Sequence, residues 1–310
     1  MKLRRILFFL LLAVCAAGLL LFPRQSAQAA RDGMSLCFRT IIPSLFPFFV
    51  LSSLFISCGA ADAFARLLRG VMRPLFGLGG AGASALALGL VGGYPVGART
   101  VAELFAAGAL RREEAERLLG FCNNAGPGFI LGMCASTVFR SPRAGLYLYL
   151  VHVASAVFTG MLLCRDLPHG GKSRRENSAQ KPSAALSPLF PAAVQSALGG
   201  ILNVCAFVVL FMVLLRLLLL LLPPGLSGNP LYPLLLGFVE LSNGVAALPC
   251  SREGFVLCAV LLAWGGLSVH AQTLSVLAAS TLSVSRYWQG KILQAALSVP
   301  LAFLASFRLF

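Results

Sequence analysis

Long apolar runs separated by short polar breaks organise this chain from end to end. Met1-Lys-Leu-Arg-Arg leads into an apolar run from Ile6 to Phe22, 17 residues or about 25 Å of helix at about 1.5 Å per residue. That is slightly short of the bilayer core. Ala27-Gln28-Ala29 resembles a small-residue cleavage site, so the run is either a signal peptide or a retained first helix; retention is preferred. Leu36 to Ile56 contains Pro43 and Pro47, which predict a kinked or broken helix because each proline frees a carbonyl four residues back. Ala60–Phe76 carries Arg66, Arg69 and Arg73 among apolar residues, the pattern of a helix lying in the membrane interface. Ala81–Ala98 is short and glycine-rich, and Arg99–Leu119 predicts one or two amphipathic helices broken near Gly108.

Leu118–Phe139 is interrupted by Asn123-Asn124-Ala125-Gly126-Pro127-Gly128, whereas Gly145–Cys164 predicts an uninterrupted spanning helix. Arg165–Pro188 is the longest hydrophilic stretch, and its basic residues predict a cytoplasmic linker. Further apolar segments follow at Ala192–Leu222, Leu231–Leu248, Phe255–Trp264, Leu267–Val284 and Ile292–Phe310.

Composition agrees with a membrane solvent. Hydrophobic residues make up 58% and charged residues 11%, with a mean hydropathy of +0.86; a soluble domain carries roughly a quarter charged residues. The net charge of +15 would point to nucleic acid in a soluble protein, but here the basic residues flank apolar runs and serve as headgroup anchors. No nucleic-acid partner is expected. The nine cysteines show neither C-x-x-C nor a zinc-type spacing, so neither a metal nor a disulfide framework is expected. No cofactor is expected either. P-loop, dinucleotide, HExxH and nucleophile-elbow signatures are missing, which speaks against an enzyme.

Order and spacing suggest an internal duplication. Gly93 and Leu241 begin comparable short polar motifs 148 residues apart, the breaks at Phe121 and Trp264 are 143 apart, and closing helices near Arg143 and Gln289 are 146 apart. Secondary transporters often pair such repeats, in some families inverted, and form their sites from broken helices near the membrane midplane.

Four motifs in order carry a family resemblance: Ile42-Pro-Ser-Leu-Phe-Pro-Phe-Phe49, Gly93-Tyr-Pro-Val-Gly-Ala-Arg99, Glu113-Glu-Ala-Glu-Arg-Leu-Leu119 and Phe121-Cys-Asn-Asn-Ala-Gly-Pro127. The chain resembles sporulation integral membrane proteins of the YlbJ type, which carry the nucleoside recognition (Gate) domain. The resemblance covers nearly the whole chain. It implies an all-α polytopic membrane protein of two Gate-type repeats, with broken helices and amphipathic interfacial helices. It also implies a bacterial inner-membrane location, with kinship to the Gate regions of nucleoside transporters and ferrous iron permeases. The expected organisation is an N-terminal transmembrane or signal-like segment at 1–30, a first repeat at 31–164, a basic linker at 165–190 and a second repeat at 191–310. Gly128 departs from the bulky residue usual after Pro127, which predicts a looser turn.

Candidate substrate-binding residues are Tyr94, Pro95, Asn123, Asn124, Glu240 and Asn243. The asparagine pair offers donors and acceptors that are costly to bury unpaired, although helix capping explains them equally. Tyr94-Pro95 supplies a forced break with a polar tip, against close helix packing as the plain alternative. Glu240, an ionisable group inside an apolar segment, is a functional candidate by default, with Asn243 as companion and an ion pair to Arg216 as its structural alternative. Glu240 and His270 are the candidates for proton or ion coupling, while His152 is the weaker histidine. Tyr287 and Trp288 beside Arg286 and Lys291 fit an interfacial belt.

The expected function is a permease-like protein moving or sensing a small polar solute or ion, with a link to sporulation and the spore cortex. The alternative is a non-transporting assembly protein for spore or envelope formation. The bilayer is the first partner, and a homo-oligomer is left open.

Overall fold

The computed structural model describes residues 2–57, 70, 72–165 and 186–310. The expected interfacial helix at Ala60–Phe76 and the basic linker therefore lie largely outside the described residues. Those described are mostly helical, with no strand among them.

Helix α1 (Lys2–Leu21) leads into α2 (Pro23–Leu36), a π-helical turn at Cys37–Ile41, and α3 (Ile42–Ser57). The prolines widen this rod without ending it. The π turn falls just before Pro43, and the Ser44 hydroxyl donates to the Thr40 carbonyl at 2.6 Å, so polar groups around the proline are met within the segment. Then follow α4 (Gly80–Gly92), α5 (Val96–Ala106), α6 (Arg112–Cys122), a π-helical segment at Gly128–Phe139, and α7 (Pro142–Leu163). The second half holds α8 (Leu186–Leu220), α9 (Tyr232–Val239), α10 (Leu241–Ala246), α11 (Arg252–Trp264), α12 (Gly266–Leu277) and α13 (Ser285–Ser306).

Chemistry at the termini sets these boundaries. Gly108 takes φ +71° between α5 and α6, a conformation that glycine adopts without strain. Ser141 and Ser251 cap α7 and α11 by accepting from the Ala144 and Gly254 amides. At the start of α6 the Glu114 carboxylate accepts from the Arg111 amide and pairs with its guanidinium. Arg112 and Glu116 also anchor the loop before α13, through Thr281 and Ser283.

Among the described residues, four helical stretches are long and apolar enough to cross a membrane: Pro23–Leu51, Pro142–Leu163, Leu189–Leu220 and Arg252–Leu277. The first and third pack on one another as α2 and α3 against α8, and most of their surface stays outside the fold. The interior is built where α7, α11 and α13 meet, with α6 crossing α13 closely. A Cβ on Gly290 would overlap the Gly120 carbonyl, so this crossing demands glycine on both helices.

Candidate functional site at the helix breaks

Each broken helix leaves carbonyls at its C-terminal end that lipid cannot satisfy. Local amides and side chains from other elements meet them. Tyr149 donates to the Leu90 carbonyl at the end of α4 (3.2 Å), and Trp264 donates to the Phe238 carbonyl at the end of α9 (3.3 Å). At the end of α11, Leu261 accepts from the Gly265 amide, Leu262 from the Tyr94 hydroxyl and Ala263 from the Lys291 ammonium. At the end of α6, Phe121 accepts from the Asn124 amide (2.7 Å) and Asn123 from Lys291 (2.6 Å). The Cys122 carbonyl between them lies against Gly89 and Gly97, where any Cβ would overlap it.

Behind these ends runs one buried polar network. Gln294 accepts from Lys291 and donates to the Asn124 side chain, both at 2.9 Å. Asn123 donates to Thr273 at 2.9 Å, and His270 shares a 2.6 Å hydrogen bond with Tyr287. On the other side of the Asn123–Pro127 break, the Ala125 amide donates to His152 at 3.0 Å. The break is thus held from α7 and α13 together.

Beside the network lies a small cavity of about 50 Å³, lined by Tyr94, Gly126, Glu240, Ser242, Ser268 and Gln272 among apolar residues of α3 and α8. At roughly 10–15 Å³ per water, it has room for a few waters or a small ion. Glu240 is 1% exposed, and its carboxylate accepts from the Ser242 and Asn243 amides at 3.1 and 2.7 Å. It caps α10, where the partial positive end of the helix offsets its charge. Farther along α5, α8 and α12 a wider open cleft of about 910 Å³ is lined by Arg99, Glu103, Gln195, Asn203, Ser275 and Thr281.

The sequence candidates therefore separate. Tyr94 and Glu240 line the cavity, whereas the Asn123 and Asn124 side chains join the network behind it. Pro95 precedes α5 at the break, Asn243 offers Glu240 only its backbone amide, and His270 packs among Trp264, Tyr287 and Trp288. Arg216 makes no ion pair with Glu240, so that structural alternative falls; the carboxylate caps α10 instead. The interfacial belt is corrected outright for Tyr287 and Lys291. Both are fully buried, because α13 turns that face toward α6 and α11. At Gly128 the backbone lies close against α3, where a Cβ would meet Phe48 at 3.1 Å.

Lys291 and Gln294 are the site residues that sequence reasoning missed. A signal existed: Tyr287, Lys291, Gln294 and Ser298 recur at helical spacing in the last apolar helix, which places them on one face. His152, Ser155 and Thr159 repeat the spacing of the last three in α7, and all seven are buried.

Comparison with known proteins agrees with this architecture. Residues 38–165 match the Gate family profile, described as nucleoside recognition. Over 93% of its length the chain is 30% identical to the sporulation integral membrane protein YlbJ of Bacillus subtilis (strain 168), covering 78% of that protein. The chain belongs to the YlbJ family. It is a multi-pass integral membrane protein of the bacterial type, carrying a Gate domain. No solved structure matches it at a significant level.

Proposed function

We propose that this YlbJ-family chain is a permease-like, non-enzymatic membrane protein that binds a small polar solute or ion between two duplicated halves. One observation carries the reading: breaks at Gly93–Tyr94, Gly126–Gly128, Glu240–Ser242 and Gly265–Ser268 converge on one small cavity. Broken helices from two halves meeting at one cavity are how secondary transporters build substrate sites. The wider cleft borders the same helices, α5, α8 and α12, and is the approach we assign to the solute. Both halves run in the same order, a long proline-containing helix, two broken segments and a closing helix with a buried polar stripe. That supports the duplication.

The small volume favours an ion or compact polar group in this closed conformation; a nucleoside would need the cavity to open. Reconstituted vesicles offered radiolabelled nucleosides, alkali cations and amino sugars test the reading. Accumulation of at least one, lost in Glu240→Gln, is the expected result. The relative's own name, a sporulation protein, favours the second reading, a non-transporting assembly protein. If nothing accumulates, and Glu240→Gln restores sporulation to a Bacillus subtilis strain lacking YlbJ as fully as the unmodified chain, that second reading replaces the first.

A further inference from the structure

The ammonium of Lys291 has three N–H donors and no acceptor. All three are engaged: the Asn123 carbonyl at 2.6 Å, the Gln294 side chain at 2.9 Å and the Ala263 carbonyl at 3.4 Å. Two of these acceptors are the C-terminal ends of α6 and α11, and the ring of Tyr94 at a third break faces the same nitrogen at 5.8 Å. Each helix end carries roughly half a negative elementary charge, so one ammonium balances two ends. Among the described residues Lys291 makes no ion pair; its countercharge is the pair of helix termini. Broken-helix C-termini of this kind coordinate a free Na⁺ or a proton in secondary transporters.

We propose that Lys291 is a tethered cation filling a carbonyl-lined cation site between α6 and α11, so that the closed fold needs no free alkali-metal ion. Removing the side chain then creates a binding site for a small monovalent cation. Packing alone does not account for the arrangement: an apolar side chain of equal length would leave the Asn123 and Ala263 carbonyls buried and unmet. The cation is required whether the chain is a carrier or an assembly protein.

Thermal unfolding of the full-length protein in detergent tests this, at constant ionic strength in choline, Na⁺, K⁺ or methylammonium chloride. The unmodified protein should melt at the same temperature in all four. Lys291→Ala should melt several degrees lower in choline, and regain at least half of that loss, saturably, in Na⁺ or methylammonium; a ligand binding only the folded state raises the melting temperature in this way. Tetramethylammonium, too large for the site, should not rescue it. Na⁺-specific stabilisation of the unmodified protein overturns the proposal. So does a Lys291→Ala protein indifferent to cations, or one that cannot be recovered in any of them. Lys291→Gln, which keeps a donor without charge, must also be destabilised; wild-type stability in that variant overturns the proposal independently.

Discussion

At the residue scale, Glu240 and Lys291 obey the same rule with opposite signs. An unpaired buried charge is too costly to keep, and each here leans on helix termini, the carboxylate on the amides of α10 and the ammonium on the carbonyls of α6 and α11. The double role of Glu240 separates its variants. Glu240→Ala removes both cap bonds and should cost about 1–2 kcal/mol of stability, visible in thermal unfolding. Glu240→Gln keeps an acceptor, so it should retain most of that stability while losing solute accumulation. Equal stability of the two variants would remove the cap from the account. Tyr94→Phe loses the hydroxyl that meets the Leu262 carbonyl and should cost about 1–3 kcal/mol through the orphaned buried acceptor.

At the element scale, backbone proximity decides what the helices tolerate. The crossing of α6 and α13 has no space for a methyl group: at Gly120 a Cβ would stand 2.8 Å from the Arg286 carbonyl, and at Gly290 it would overlap Gly120. Gly120→Ala and Gly290→Ala should each cost about 1–3 kcal/mol through forced separation. Gly199, on the open side of α8, has nothing within 4 Å of its would-be Cβ; there alanine should leave stability unchanged or raise it by up to about 1 kcal/mol. Denaturation of the three variants side by side checks the contrast, and a destabilised Gly199→Ala would contradict it.

The breaks at Asn123–Pro127 and near Gly108 were readable because proline, glycine and asparagine act locally on the backbone. The inward face of α13 was not readable in the same way. Lys291 lies close enough to the helix start that, in one dimension, an interfacial position and a buried one look alike. What decides between them is the neighbouring helix, whose free carbonyls are invisible in a linear sequence.

At the scale of the whole molecule, the cleft and the cavity predict a difference in access. In a background with the native cysteines replaced, Ser275→Cys on the cleft wall should react with a membrane-impermeant thiol reagent, while Ser242→Cys, at a buried position on the small cavity, should react far more slowly. A transported solute should slow labelling at Ser275→Cys by closing the cleft. Equal rates at both positions would mean that the cavity is not occluded. The cost of broken helices in a membrane is met by capping side chains drawn from distant segments, so the site and the stability of the fold share residues. Lys291 shows this plainly, donating to the Asn123 carbonyl from a helix 168 residues away while it donates to Gln294, the partner of Asn124.

The amino-acid sequence alone determined the membrane solvent, the helical class and the positions of the breaks, because hydropathy, proline and glycine act over a few neighbouring residues. Its four motifs also determined the family. Only the tertiary structure decided which polar groups are paired. Glu240 became a cap rather than half of an ion pair, Asn123 and Asn124 became partners of α12 and α13, and Lys291 moved from the interface to the centre. The physical reason is that a carbonyl at a helix break must find a donor, and which donor arrives depends on packing between segments as much as 168 residues apart.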